Sequence, residues 1–198
     1  MAVTLMQKFE KRELILVSAS PRRRKLLEEM GFNFKTDTVD TGEAVPAGLP
    51  PGEVAEHLAK EKADAYARRL PPDNALWITA DTIVVLENEI LNKPGDRNEA
   101  IAMLKKLSGK THQVITGVCI MDKRRHHSFQ AVSFVQFKSM REEEIACYVD
   151  EYAPYDKAGA YGIQEWIGLT GISRIEGSFY NVMGLPTCKL WEALHHFI

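Results

Sequence analysis

Cysteine is scarce in this chain. There are three, Cys119, Cys147 and Cys188, widely spaced and with no Cys-x-x-Cys pair among them. That excludes a disulfide scaffold and a zinc ribbon and favours a reducing compartment. Charge of one sign is lacking too: 25 Lys and Arg against 27 Asp and Glu leave a net −2. Nothing therefore draws the whole molecule to nucleic acid or anionic lipid, and any anion must be held by a local cluster. No apolar run reaches spanning length, and no apolar leader pattern opens the chain, so the expectation is a cytoplasmic protein with no membrane partner. Gly-x-x-x-x-Gly-Lys-Ser/Thr, Gly-x-Gly-x-x-Gly, His-Glu-x-x-His and Gly-x-Ser-x-Gly are all absent. Their absence removes the P-loop, dinucleotide, zincin and esterase readings. What remains is 198 residues, 45% hydrophobic and 26% charged, read as one domain spanning 1–198 with residues 1–12 an irregular extension.

The stretch Leu14-Ile-Leu-Val17-Ser18-Ala-Ser20-Pro21-Arg22-Arg23-Arg24 organises the rest. Four apolar residues make a short buried strand. Ser20 then suits an N-cap, and Pro21 suits the first helical position, where a missing N–H costs nothing. First turns favour acids because the helix dipole is positive there, yet this one carries three arginines. Free N–H groups, seryl hydroxyls and guanidinium forks together suit a phosphate chain; the plainer alternative is a solvated basic turn. The helix carries Leu26, Leu27 and Met30 inward and stops at Gly31, and Phe32 to Val39 reads as a second strand. Asp40 and Glu43 follow in a loop, as plain loop acids or as ligands.

Glu53 to Leu70 reads as a long helix with the apolar stripe Ala55, Leu58, Ala59, Ala63, Tyr66, Leu70. Lys62 falls inside that stripe, where it either snorkels to the edge or meets an anion. Ala75 to Leu86 is the strongest strand signal, and Asp81 sits in its middle. A buried carboxylate there needs a cation, a metal, hydrogen-bond donors or a raised pKa, unless a bend lets it reach water. Further on, Pro94 holds Lys93 extended at a strand end.

Asp96-Arg-Asn-Glu99 opens a helix with Ala100, Ile101, Leu104 and Leu107 inward and Gly109 at its end. Thr111 to Met121 is a strand, Asp122-Lys-Arg-Arg a charged hairpin tip, and the return strand runs to Lys138. His126-His127 and His195-His196 read as solvated pairs, since neighbours on a strand face opposite ways. Ser139-x-x-Glu142 is expected to cap a helix over Met140 to Asp150. Asp156 to Gln164 reads as a glycine-rich loop, and a last helix buries Leu190, Trp191 and Leu194. The pattern is an α/β protein with a mixed sheet flanked by helices.

These pieces suit hydrolysis of a nucleoside triphosphate: basic groups for the polyphosphate, a carboxylate to activate water, and carboxylate oxygens for a hard divalent cation. Ser18-Ala-Ser-Pro-Arg-Arg23, Glu61-Lys62-Ala63, Ala80-Asp-Thr82, Lys93-Pro94 and Thr116-Gly-Val118 resemble the motifs of the Maf family of nucleotide pyrophosphatases. Asp156-Lys-Ala-Gly-Ala-Tyr-Gly-Ile-Gln164, Ile175-Glu-Gly-Ser178 and Asn181-Val-x-Gly-Leu-Pro186 extend the resemblance, in order, over nearly the whole chain.

The resemblance implies a two-lobed α/β fold, with an elongated mixed sheet and a cleft between the lobes. It implies an enzyme dependent on a divalent cation (Mg²⁺, Mn²⁺ or Co²⁺) that splits a nucleoside triphosphate into monophosphate and pyrophosphate, and a homodimer. Position by position, Asp81 matches the acceptor of the water's proton. Ser18, Arg22, Arg23, Lys62 and Lys93 match the polar and basic substrate-binding positions. Glu43, with Asp81, matches the metal site, although Asp40-Thr-Gly-Glu43 departs from the adjacent acids usual there and leaves Asp40 a rival. Arg22, Thr82 and Gln164 fall where base preference is set, and their pattern resembles the branch acting on dTTP and UTP. The alternatives implied are the 7-methyl-GTP branch and a nucleotide-binding regulator of septum formation; clearance of modified pyrimidine nucleotides is the expected biology.

Overall fold

A computed structural model describes residues 9, 11–42 and 44–198. Glu43 therefore lies outside the described residues. The fold is mixed α/β, built on a seven-stranded sheet of order β2-β1-β3-β5-β6-β7 with β4 on β3. The strands are β1 (Glu13–Val17), β2 (Lys35–Asp37), β3 (Ala75–Leu86), β4 (Glu89–Leu91), β5 (Thr111–Met121), β6 (His126–Phe137) and β7 (Ile172–Glu176). The helices are α1 (Pro21–Glu29), α2 (Pro51–Ala67), α3 (Arg97–Leu107), α4 (Glu142–Tyr152), α5 (Trp166–Gly171), α6 (Phe179–Met183) and α7 (Thr187–Leu194). Parallel pairing of β1 with β2 and β3, and antiparallel pairing of β3 with β4 and β6 with β7, make the sheet mixed. None of the described helices is long and apolar enough to cross a membrane.

The chain divides into two compact units: Met1–Asp81, Thr116–Ala131 and Gly184–Ile198 in the first, Thr82–Ile115 and Val132–Met183 in the second. In the first unit, α2 lies on the sheet through its small residues. Ala59 and Ala63 are wholly buried in one cluster with Ile15, Val17, Trp77 and Cys119. The approach is close enough to dictate a glycine. A Cβ at Gly117 of β5 would stand 2.3 Å from the Ala55 backbone, so this glycine is explained by packing. At the far side Phe9 packs edge-on against Phe32, and Phe32 packs tilted against Trp191, each at 6.0 Å between centroids. Arg12 reaches the carbonyl of Phe197 at 3.1 Å and the carboxylate of Asp122 at 2.8 Å. Two residues of the expected irregular N-terminal stretch are thus tied down.

In the second unit α3 and α4 are joined by a two-pronged Arg97–Asp150 pair at 2.5 and 2.8 Å. Buried Asn181 donates to the Val114 carbonyl and to Ser133 Oγ, both at 3.0 Å. That gives the Asn181 motif a structural job.

Several boundaries differ from the sequence reading. The second strand keeps only Lys35–Asp37 of Phe32 to Val39. Helix α2 ends at Ala67, and Leu70, expected in the apolar stripe, is 83% exposed with φ +54° ahead of Pro71-Pro72. Met30 and Trp191 are half-buried rather than inward. Ser139 does not cap α4: the helix starts at Glu142, and the Glu144 carboxylate reaches back to the Arg141 N–H at 2.8 Å. His126-His127 belongs to β6, and His127 is half-buried with its ring 4.7 Å from that of His196.

Candidate active site

Strands β1, β2 and β3 run parallel, and β1 and β2 end level: Val17 is in register with Asp37 on one side and with Thr79 on the other, while β3 continues to Leu86. The backbone N–H of Ser18 continues the ladder to the Asp37 carbonyl at 2.9 Å. In open α/β sheets ligands bind beyond the carboxyl ends of such strands. Here the ends of β1 and β2 carry Ser18-Ala19-Ser20 and Thr38, while Ala80-Asp81 lie within β3 just past its pairing with β1. At the ends of β1 and β2 a depression of about 410 Å³ opens, lined by Ser18, Ser20, Pro21, Arg24, Asp37 and Thr38 among others.

Ser20 caps α1 as its sequence promised, with extended φ/ψ and Oγ accepting the Arg23 N–H at 3.4 Å. The three arginines then separate. Arg23 donates from Nε to the Gly184 carbonyl at 2.8 Å and from Nη1 to Ser18 Oγ at 3.3 Å, bracing the turn. Arg24 pairs with Glu28 one turn on, at 2.9 Å. Arg22, the first of the three, is half-buried.

Asp81 and Thr82 are the only two residues of β3 that are not buried. The carboxylate answers its burial with a cation: Lys62 Nζ lies 2.5 Å from Asp81 Oδ1, the side chains 15% and 16% exposed. The geometry follows from periodicity. Trp77, Thr79 and Asp81 alternate onto one face of β3. Trp77 Nε1 donates to the Ala63 carbonyl at 3.2 Å, and Thr79 Oγ1 to the Ala59 carbonyl at 2.6 Å. Helix α2 therefore runs antiparallel over that face. Helical side chains lean toward their own N-terminus, so Lys62 reaches back along α2 and forward along β3 to Asp81. Of the two roles open to an inward lysine, the structure places it on an anion.

The other predicted positions stand apart from this pair in the division of the chain. Thr82, Lys93 and Gln164 belong to the second unit; Lys93 and Gln164 are exposed and Thr82 is half-buried. Asp40 is exposed past β2. Among the described residues there is no group of three or more His, Cys, Asp or Glu suited to a metal. A lone carboxylate within β3, partly exposed, offers oxygen donors that fit a hard cation taking its remaining ligands from phosphate oxygens and water. It does not fit a cation held by imidazole or thiolate.

Sequence reasoning missed a second cluster of charges, in the second unit. Lys157, nearly buried, lies 3.0 Å from Glu165 and 2.7 Å from Asp156. Tyr148 donates its hydroxyl to the other Glu165 oxygen and accepts the Gly162 N–H at 3.1 Å. Burial, reinforced by the carboxylate, pushes the Tyr148 phenol well above its ordinary pKa and keeps it a donor. Next to it, buried Tyr161 shares a 2.7 Å hydrogen bond with His112 Nε2. Burial lowers His112 to about 4, so the ring is neutral at neutral pH.

A model of the family described as Maf-like protein matches residues 13–197. A dTTP/UTP pyrophosphatase of Porphyromonas gingivalis is 48% identical to this chain over 195 residues, 98% of each. One from Bacteroides thetaiotaomicron is 50% identical, over 93% of this chain and 96% of its own. A third, from Parabacteroides distasonis, is 47% identical over 98% of this chain and 100% of its own.

Proposed function

The chain belongs to the Maf family, and from that premise we propose that it is a nucleoside triphosphate pyrophosphatase. Its substrates are dTTP and UTP, cleaved between the α- and β-phosphates to monophosphate and pyrophosphate. The observation that carries this reading is the Lys62–Asp81 pair on β3, two residues past its last parallel pairing with β1, together with the Ser20-capped start of α1 that follows β1. A lysine already held on a carboxylate is an exchangeable counter-ion.

In the proposed reaction the triphosphate settles against Ser18, the α1 N-terminus, Arg22 and Arg23, and Lys93 adds positive charge. Lys62 passes from Asp81 to a phosphate oxygen, a charge-assisted bond of the same kind. The released carboxylate accepts the proton of a water aligned on the α-phosphorus. Electrostatic positioning supplies most of the remaining rate, as in other phosphoryl chemistry. Asp81, with Glu43, would hold the divalent cation, whose contribution when bound is to neutralise and orient the phosphates. Arg22, Thr82 and Gln164 are assigned to base preference.

Pyrophosphate release from dTTP, UTP, 7-methyl-GTP and the common triphosphates, with Mg²⁺, Mn²⁺ and Co²⁺ in turn, tests this. Preference for dTTP and UTP is the expected result. Faster turnover of 7-methyl-GTP would move the chain to the other branch. Tight nucleotide binding without turnover would make it a regulator of septum formation instead.

A further inference from the structure

We infer that Tyr148 and Glu165 are positioning residues for base selection: through Lys157 and Gly162 they fix the loop that ends in Gln164. The inference rests on the reading of Gln164 as a base contact. Asp156 to Glu165 contains little regular structure, one short 3₁₀ turn at Ala158–Ala160 with Gly159 at φ +71°. A segment of that kind holds one shape only if its polar groups are individually satisfied. Here they are. The Gly159 N–H donates to the Asn92 carbonyl at 3.2 Å, Tyr161 meets His112 at 2.7 Å, and the Gly162 N–H meets Tyr148 Oη at 3.1 Å.

Glu165, directly after Gln164, is gripped on both oxygens, by Lys157 on one and by Tyr148 on the other. A Cβ at Gly162 would fall 2.7–2.9 Å from the Glu165 carboxylate, so the loop is closed around that group. The Asn92 bond has a second consequence. Asn92 immediately precedes Lys93, so one hydrogen-bonded loop carries the backbone next to a proposed phosphate contact and the side chain proposed to read the base. None of these groups is needed for proton transfer. They set where Gln164 stands.

The test compares Tyr148→Phe and Glu165→Gln, both close in shape to the native residues, with Gln164→Ala. Pyrophosphate release is measured on dTTP, UTP, dCTP and GTP, and amide exchange is followed at Gly159 and Gly162. The expected result is a loss of preference for dTTP over dCTP and GTP of about tenfold in each variant, the worth of one hydrogen bond to a charged group. It should appear as a higher KM for dTTP with kcat retained, together with faster exchange at Gly162 in Tyr148→Phe. A merely structural role would lower turnover of all four nucleotides alike and leave their ratio unchanged. Native selectivity in Tyr148→Phe and Glu165→Gln, with selectivity lost in Gln164→Ala, would overturn the inference alone. Native selectivity in Gln164→Ala would overturn the base-contact reading and the inference with it.

Discussion

Each unit of this protein holds a lysine against a carboxylate with little exposure, and the two pairs are built differently. In the first, Lys62 and Asp81 meet at 2.5 Å within β3, just past its parallel pairing with β1, 15% and 16% exposed. In the second, Lys157 and Glu165, 10% and 24% exposed, are bound into a set that includes Asp156, Tyr148 and the Gly162 N–H. A buried ion pair is poor evidence of stabilisation by itself, because desolvation offsets much of its attraction. What separates the two is satisfaction. Glu165 has a partner on each oxygen and sits inside its loop, so opening it strands several groups at once. Asp81 stands at one of the two non-buried positions of β3, and in the proposed reaction an incoming phosphate takes over the lysine.

Replacement of Asp81 gives the largest expected effect. Asp81→Asn retains shape and a contact for Lys62 but is too weak a base, so pyrophosphate release from dTTP falls by roughly 10²–10⁴-fold. The melting temperature moves by no more than a few degrees, since a chain of this size shifts by roughly 2–4 °C per kcal/mol. Undiminished turnover would remove Asp81 from the mechanism. Lys157→Met should reverse the balance. Removing one partner of a buried pair costs about 3–5 kcal/mol, so the melting temperature should fall by roughly 6–20 °C. The surviving folded enzyme keeps kcat on dTTP. A stable Lys157→Met protein that had lost turnover would break the distinction between the pairs.

The first pair was legible in the sequence and the second was not, for a physical reason. Lys62 announced itself by interrupting an i, i+3, i+4 stripe, and Asp81 by interrupting an apolar strand; each was a local violation of a periodic pattern, and the two violations met. Lys157, Glu165 and Tyr148 violate nothing, because the segment from Asp156 to Glu165 has no period to break and Tyr148 looks like any inward helical aromatic. The same logic separates the fold's hits and misses. Leu14 to Val17, the Ser20-Pro21 cap and Ala75 to Leu86 rest on local rules and stand as read. Gly117 was quoted only as part of a motif, and its cause, the Ala55 backbone, is more than sixty positions away in sequence. Ser139 satisfied the capping pattern, but the helix starts at Glu142, and its own third residue, Glu144, accepts the Arg141 N–H there.

A third prediction uses pH to tell the units apart. Burial holds His112 near 4, well below an ordinary histidine. As pH falls from about 6.5, the unfolded chain takes up a proton that the folded ring refuses until about 4. Stability contributed by the neutral ring is therefore intact at neutral pH and declines through that window, by roughly 3 kcal/mol if the whole difference is expressed. Denaturant titrations at pH 7, 6, 5 and 4 should show the decline in the native protein and a shallower one in His112→Gln. Asp122, in the first unit, behaves in another window. Its burial raises its pKa, but the hydrogen bonds from Arg12 and from the Arg124 and Arg125 N–H groups outweigh that and hold it below the carboxylate range. Its contribution is present above that range and disappears only as pH falls below it. Equal slopes for native and His112→Gln proteins between pH 6.5 and 4 would dissociate the loop anchor from acid sensitivity.

The smallest expected effect comes from Ser20→Ala, and it sharpens the contrast from the first unit's side. Ser20 Oγ accepts a single bond, from the Arg23 N–H at 3.4 Å. Losing an N-cap of this kind costs about 1 kcal/mol, a shift of a few degrees in melting temperature. Arg23 is independently tied to Gly184 and Ser18, so the helix start should hold its place in the variant. With the helix held, the freed N–H remains among the open donors of the α1 N-terminus, where a bound phosphate can occupy it. The melting-temperature deficit should therefore shrink when dTTP is added, while Lys157→Met, whose defect lies in a sealed cluster, gains no such selective rescue. A cap deficit that dTTP leaves untouched would mean that the α1 N-terminus does not receive the triphosphate.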